Sequence, residues 1–260
     1  MWKVILLALL ALAPAAAGAA TSAAPAQCVI LLHGLLRSEL SMLAVAWKLQ
    51  DAGYAVANVT YPSLTRPIPE LAQIAVNAGL AECREQGLSR FHFVTHSLGG
   101  ILLREYLSHT DIEGLERVVM LGPPNQGSAL ADYVQGIDFI QPLAPQAIAQ
   151  LGTGEASVPR QLGPVDFELG VIAGTMAGLS PLPWVLQGPS DGTVTVEETR
   201  VAGMVDFIEL DASHSFIMWN ADALQQVLYF LQQGHFDHQP KDAPAAAAHR
   251  APDFSPRSGP

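Results

Sequence analysis

The sequence predicts an α/β protein with a mostly parallel central sheet that is covered by helices on both faces. Two observations support this fold class. Short apolar runs typical of buried strands recur along the chain, and most are separated by stretches of ten or more residues with helical spacing. Strands that alternate with helices in this way are joined by crossover connections, which make neighbouring strands parallel.

The first half of the predicted domain contains three strands, each followed by a helix. CVILLHG (28–34) is a continuous apolar run that ends in glycine, as expected of a strand buried on both faces. SELSMLAVAWKLQDAG (38–53) has apolar residues at helical spacing and a glycine at its end. The remaining elements of this half are the strand YAVANVTYPS (54–63), the helix IPELAQIAVNAGLAECREQG (68–87), the strand RFHFVTHS (90–97) and the helix LGGILLREYLSH (98–109).

The second half contains three further strands and a closing helix. The strands are ERVVMLGPP (116–124), ELGVIAGT (168–175) and VDFIEL (205–210), and the helix is ADALQQVLYFLQQG (221–234). The stretch between the fourth and fifth strands is too long for a plain connection. We therefore expect a short helical insertion there, made from SALADYVQGI and FIQPLAPQAIAQLG, beside a pocket.

Residues 27–234 are thus predicted to form one domain with a segment at either end. Lys3, the apolar run after it and the small residues up to position 20 have the order of a secretory signal peptide. We expect 1–20 to be removed during export to the periplasm or the medium. Residues 235–260 are rich in Pro and Ala and poor in large apolar side chains, so we expect a disordered tail.

The balance of acidic and basic residues limits the classes of partner that the protein is expected to bind. Thirteen Lys and Arg face 24 Asp and Glu, which gives a formal net charge of −11. This charge repels phosphate backbones and the basic residues form no cluster, so nucleic acid is not an expected partner. The tail histidines are irregularly spaced and have no cysteine or carboxylate cluster beside them. No metal site is predicted.

Cys28 and Cys83 are the two cysteines of the chain. In an oxidising compartment an even number favours a disulfide, with two buried thiols as the alternative. Cys28 opens the first strand, and Cys83 ends the helix that enters the third. Both are expected at the amino edge of the sheet, and we predict that they form a disulfide.

Three polar residues with complementary chemistry follow strands, at the sheet edge where ligands bind in such folds. Ser97 ends the third strand, Asp191 lies in GPSDGTVTV beyond the fifth, and His214 lies in DASHSF past the sixth. A serine hydroxyl is a weak nucleophile until an imidazole takes its proton. A carboxylate on the other imidazole nitrogen then fixes its tautomer. We predict that these three residues form a catalytic triad.

The sequence around Ser97, VTHSLGG (94–100), predicts a sharp turn from strand to helix. It departs from the pattern G-x-S-x-G at Thr95, which is bulkier than glycine where neighbouring backbone approaches closely. Acyl transfer also needs backbone N–H donors for a tetrahedral oxyanion. The predicted donors are the N–H groups of Leu98 and of Leu35, which lies in LLHGLL at the end of the first strand.

Five motifs occur in the order seen in the lipase/esterase branch of the α/β-hydrolase family: LLHGLL, VTHSLGG, LGPPNQGS, SDGTVTV and SHSF. The chain order Ser, Asp, His is also that of the family. Over roughly 27–234 the sequence resembles a small bacterial lipase-like hydrolase. The resemblance implies a carboxyl-ester hydrolase that forms an acyl-enzyme on Ser97 and needs no cofactor. It further implies a small-molecule or lipid ester as substrate, with transient contact to a lipid surface.

Other interpretations use the same residues. The triad would also serve an acyltransferase or a phospholipid or glycolipid deacylase, and a non-catalytic binding relative of the fold is a further alternative. Asn125 and Gln126, in the third motif, either border the site or are turn residues.

Asp132 is the serious rival for the acid, because it follows the fourth strand. Asp166 and Asp206 belong towards the amino edge of the sheet, and Asp211 lies too close to the histidine in sequence. Since Asp132 falls in a helical run, Asp191 remains our prediction.

Overall fold

The computed structural model describes residues 27–138, 144–178 and 184–239. The signal peptide predicted over 1–20, part of the predicted insertion and most of the predicted tail lie outside these ranges. Within them, six parallel strands form one sheet in the order β2-β1-β3-β4-β5-β6, which confirms the predicted fold class. The strands are β1 (Cys28–Leu32), β2 (Ala55–Val59), β3 (Phe91–His96), β4 (Leu115–Leu121), β5 (Glu168–Gly174) and β6 (Asp206–Leu210).

Eight α-helices lie in the described ranges. They are α1 (Leu43–Asp51), α2 (Ile68–Glu85), α3 (Leu98–Leu107), α4 (Ala129–Gln135), α5 (Gln146–Ala149), α6 (Val158–Gln161), α7 (Val196–Thr199) and α8 (Ala221–Gln233). Helices α4 and α5 lie in the predicted insertion and α6 follows it in the same connection, whereas the sequence predicted no element at α7. A 3₁₀ turn, Glu39–Met42, precedes α1 and takes the first turn of the helix predicted over 38–53. None of the described helices combines the length and apolar character that crossing a membrane requires.

The core forms two layers because successive strand residues point to opposite faces of the sheet. Ile30 and Leu32 of β1 pack in the layer formed with α2 and α3. Val29 and Leu31 pack in the opposite layer, formed with α1 and α8. All four are fully buried, and burying such a side chain stabilises the fold by about 1.5–3 kcal/mol relative to exposure. The continuous apolar run of β1 follows from this two-sided burial.

A register shift interrupts the pairing of β3 with β4 between Phe91 and Phe93. The intervening His92 is buried, and its Nδ1 accepts a hydrogen bond from the Arg117 N–H at 3.1 Å. Burial lowers the pKa of His92 to about 4, with Glu116 raising it and Arg117 lowering it further. The imidazole is therefore neutral in the folded protein at neutral pH.

Cys28 and Cys83 are bonded in the structure, with a Cα–Cα distance of 5.9 Å. The bond joins the start of β1 to the last turn of α2, at the amino edge of the sheet. It closes a loop with a sequence separation of 55 residues, for which chain-entropy models give about 4 kcal/mol of stabilisation.

The domain continues beyond Gly234, so the predicted start of the tail at 235 is wrong. Phe236 is buried and packs against Phe230 of α8, with ring centroids 4.9 Å apart. Its backbone N–H donates to Asp206 at 2.7 Å, and the backbone of Asp237 exchanges hydrogen bonds with a glutamine of α8. One large aromatic residue, isolated in a Pro- and Ala-rich sequence, therefore keeps 235–239 on the domain.

Candidate active site

Three strands bring the predicted site residues together at the carboxyl edge of the sheet. Ser97 follows β3 directly, Asp191 lies in the connection after β5, and His214 follows β6 by four residues. The Oγ of Ser97 lies 3.0 Å from Nε2 of His214, and Nδ1 of His214 lies 2.6 Å from Oδ2 of Asp191. The imidazole thus bridges the hydroxyl and the carboxylate.

Ser97 occupies a strained backbone position. Its φ of 52° and ψ of −121° lie in a region that non-glycine residues rarely adopt. The turn is held because the Ser97 N–H donates to the Leu121 carbonyl at 2.9 Å and α3 begins at the next residue. A methyl group on Gly99 would lie 2.5 Å from the Leu32 carbonyl oxygen, so only glycine lets α3 approach β1 this closely.

The departure from G-x-S-x-G at Thr95 is accommodated within the turn. Thr95 is fully buried, and a Cβ on Gly100 would lie 3.2 Å from its Oγ1. A side chain at position 100 would therefore crowd Thr95 and also Met120, whose Sδ such a Cβ would approach to 3.0 Å.

The carboxylate of Asp191 is buried and oriented by its own loop. Its Oδ1 accepts the N–H groups of Thr193 at 2.9 Å and Val194 at 2.8 Å, which leaves Oδ2 directed at His214. The backbone carbonyl of Asp191 also accepts the N–H of His214 at 2.9 Å. Acid and imidazole are therefore fixed to each other through both main chain and side chain.

The two predicted oxyanion donors flank Ser97. Leu98 is the first residue of α3, where helix geometry leaves the N–H without a partner inside the helix. Leu35 follows Gly34, whose Cβ, if present, would lie 3.1 Å from the Cβ of Ser97. The loop after β1 therefore passes beside the serine, and Leu35 lines the same cavity as His214.

Comparison with protein-family models and with curated proteins finds no match. Solved structures do resemble this chain. The mature lipase BlEst2 of Bacillus licheniformis matches with a TM-score of 0.61 and 21% identity, over 81% of this chain and 91% of that one. An esterase from Thermogutta terrifontis matches with a TM-score of 0.54 and 16% identity, over 81% and 91%. The chain has the α/β-hydrolase fold.

A third structure of this fold is the phospholipase PlaB from Legionella pneumophila, at a TM-score of 0.54 and 21% identity. The match covers 67% of this chain and 45% of that protein. The present chain therefore spans less than half the length of that phospholipase, and what the two share is the hydrolase fold.

The rival carboxylates are bound elsewhere in this hydrolase fold. Asp132 accepts hydrogen bonds from the N–H and the hydroxyl of Thr153, at 3.0 and 2.6 Å from its Oδ2. Asp206 binds the backbone of Phe236 and the imidazole of His238. Neither carboxylate contacts His214, which is bonded to Asp191.

His96 contributes to the site in a way that the sequence did not predict. Its buried Nε2 lies 3.0 Å from the carbonyl oxygen of His214, and since a carbonyl only accepts, this nitrogen carries the proton. Burial, with smaller contributions from His214 and Arg37, lowers the pKa of His96 well below its usual value. A neutral imidazole beside Ser97 therefore holds the loop that carries His214.

Asn125 is buried, and Gln126 lies in a turn that is closed by the Gly127 N–H, which donates to the Pro124 carbonyl at 3.0 Å. The Asn125 amide donates to the Thr199 carbonyl at 2.8 Å, and its oxygen accepts from the buried Arg104 at 3.0 Å. The Gln126 N–H donates to the Glu198 carbonyl at 2.9 Å. Hydrogen bonds from the PPNQGS motif therefore join the start of the insertion to α7, which follows the Asp191 loop.

An apolar cavity of about 340 Å³ opens beside the three residues. Its wall comes from Leu35 and from the insertion, which contributes Leu130, Val134, Ile148 and Leu151. A second cavity of about 290 Å³ reaches the other side of the imidazole. Within the described ranges, no group of three or more His, Cys, Asp or Glu side chains has an arrangement that could hold a metal ion.

Proposed function

We propose that the protein is a serine hydrolase that cleaves carboxyl esters. The observation that carries this proposal is the hydrogen-bonded series Ser97–His214–Asp191, with its serine on a strained strand-to-helix turn. The known activities of the neighbours named above, a lipase, an esterase and a phospholipase, agree with it. A non-catalytic binding protein would have no need for this alignment.

In the proposed mechanism, Ser97 Oγ attacks the ester carbonyl while His214 Nε2 takes its proton. The buried Asp191 carboxylate stabilises the imidazolium that forms. The N–H groups of Leu35 and Leu98 donate to the oxyanion of the tetrahedral intermediate. His214 then protonates the alcohol as it departs, and the acyl group remains bonded to Ser97 Oγ. In the second step the same imidazole activates a water, which attacks the acyl-enzyme and releases the acid.

The apolar cavity is the proposed acyl site. Its volume of about 340 Å³ lies at the small end of ligand pockets, which span about 300–1,000 Å³. We therefore expect short acyl chains to be preferred.

We also propose that the enzyme works in an oxidising compartment and touches lipid surfaces. The Cys28–Cys83 disulfide supports the first point, because such bonds persist outside the reducing cytosol. Exposed apolar side chains beside the site, among them Leu36 and Phe216, support the second.

A panel of acyl esters of graded chain length, together with a fluorophosphonate probe, tests the proposal. Wild type should hydrolyse the short esters and take up one probe, whereas Ser97→Ala should do neither. Ser108→Ala is the matched control, because Ser108 caps the opposite end of the same helix. Labelling that survived in Ser97→Ala, or a folded wild type without hydrolysis, would contradict the proposal.

A further inference from the structure

Arg37 is the one charged side chain among the described residues that line the apolar cavity. It lies two residues after Leu35, on the loop that passes beside Ser97. Its Nη2 donates to Ser215 Oγ at 2.8 Å, across the mouth of the site. Within the described ranges, ion pairs to carboxylates involve other arginines and not this one. Among the described residues, therefore, no carboxylate pairs with this guanidinium, and N–H groups beyond the one that binds Ser215 are left for another partner.

The positive charge of Arg37 affects the pKa of a histidine inside the site. It is one of the groups that lower the pKa of His96, after burial and His214. His96 is adjacent to Ser97, so the field of the guanidinium extends to the reacting centre. This local positive charge contrasts with the net charge of −11 of the whole chain.

The position of Arg37 identifies the part of the substrate that it meets. In the proposed mechanism His214 protonates the leaving oxygen, so the alcohol part of the ester lies against His214. Ser215 follows His214 in the chain, and Arg37 is bonded to Ser215. Ser215 lines both the apolar cavity and the second cavity beside His214. The guanidinium therefore lies where the two cavities meet, within reach of the alcohol part.

We propose that Arg37 is a specificity residue that binds an anionic group, a phosphate or a carboxylate, on the alcohol part of the ester. This inference rests on the proposed ester hydrolysis. A guanidinium presents its donors in a planar fork that matches both anions with two parallel hydrogen bonds. Only one donor is used by Ser215, which orients the fork without neutralising it.

Three butyryl esters with the same acyl group test the proposal: 1-butyrylglycerol 3-phosphate, O-butyryl lactate and neutral 1-butyrylglycerol. The quantity compared is the ratio of kcat/KM for each anionic ester to that for the neutral one. Hydrogen bonds between charged groups correspond to about tenfold or more in such a ratio. Wild type should prefer an anionic ester by that factor, and added salt should reduce the preference. The phosphate and carboxylate arms show which anion fits.

Arg37→Gln should reduce the ratio to within about twofold of unity, whereas Arg37→Lys should retain part of it. Ser215→Ala removes the Arg37–Ser215 hydrogen bond and keeps the charge, so its ratio should stay close to wild type. Arg90→Gln is the matched control, because Arg90 precedes β3 at the opposite edge of the sheet. Circular dichroism melting verifies that each variant is folded.

An unchanged ratio in a folded Arg37→Gln would overturn the inference while leaving ester hydrolysis intact. An equal loss in Ser215→Ala and Arg37→Gln would assign Arg37 to holding two loops together, which also overturns it. A wild type that hydrolyses none of the three esters, nor any ester of the graded panel, would instead count against the proposed function.

Discussion

At the scale of single residues, the site depends on close contacts between pairs of residues. A Cβ on Gly100 would lie 3.2 Å from the Oγ1 of Thr95, the residue that departs from the expected glycine. The carboxylate of Asp191 is bound by two N–H groups on Oδ1, so that Oδ2 is left for His214. A change at one member of such a pair is therefore expected to act on its partner.

Asp191→Asn should fold like wild type and lose turnover by on the order of 10⁴, as amide substitution of the acid does in serine proteases. The amide oxygen can still accept from Thr193 and Val194. The amide nitrogen then donates to His214 Nδ1, so the imidazole proton moves to Nε2. A protonated Nε2 cannot accept the proton of the Ser97 hydroxyl. Steady-state kcat measured beside melting curves tests this.

Asp132→Asn is the control for this prediction. It alters a carboxylate that binds Thr153 and leaves the imidazole untouched. Turnover should stay within a few-fold of wild type. The reverse pattern in the two variants would assign the acid to Asp132.

The types of the residues in the sequence indicated only part of the candidate site. The sequence indicated that Ser97, Asp191 and His214 lie at one sheet edge, because the proposed reaction requires their types and each follows a recognisable strand. His96 and Arg37 could not be predicted, because their contacts depend on side-chain directions in loops. Arg37 and Ser215 lie 178 positions apart, so nothing local in the sequence pairs them.

At the scale of elements, Glu198 joins two segments that flank the site. Its Oε2 accepts the N–H of Thr195 at 2.7 Å and completes a capping box at the start of α7. Its Oε1 accepts the N–H of Ala129 at 2.6 Å, at the start of α4. One carboxylate thus satisfies the amino ends of two helices, one beside the Asp191 loop and one in the cavity wall.

Glu198→Gln should lower the free energy of unfolding by about 1–3 kcal/mol, because glutamine can accept at only one end and leaves an N–H group unpaired. Urea denaturation provides the measurement. Glu197→Gln is the neighbouring control, since that side chain is 87% exposed and should change stability by less than about 0.5 kcal/mol. Equal effects of the two variants would show that the junction is not stabilising.

Elements with a long apolar pattern were predicted best. The strands have continuous apolar runs, the long helices α2, α3 and α8 have apolar residues at helical spacing over several turns, and the sequence placed both correctly. Helix α7 has four residues, too few for a periodic pattern, and its signal in the sequence is the capping box of Thr195 and Glu198. The segment 235–239 was misjudged because its attachment depends on Phe236 and on hydrogen bonds to distant residues.

At the scale of the whole molecule, buried histidines link stability to pH. Burial lowers the pKa values of His33, His92 and His96, with that of His92 reaching about 4. Below about pH 6.5 the unfolded chain binds protons that the folded protein does not. Stability should therefore be highest above pH 6.5 and fall as the pH is lowered towards 4, by up to about 1.4 kcal/mol per pH unit for each histidine.

His92→Gln removes one of these three groups and keeps an acceptor for the Arg117 N–H. The unfolding free energy of this variant, measured between pH 7 and pH 4.5, should depend less steeply on pH than that of wild type. The difference in slope should correspond to at most one proton taken up on unfolding. Identical slopes for wild type and His92→Gln would refute the assignment.

The strand order also fixes when the site can exist during synthesis. Once β3 has paired with β1, the remaining strands add outward at a single edge in the order in which the chain emerges. Ser97 follows β3, whereas Asp191 follows β5 and His214 follows β6. A nascent chain therefore contains Ser97 long before His214, the proposed base, has been synthesised. For the same reason, detachment of the β6 edge in the mature protein would disable the site while most of the sheet remained intact.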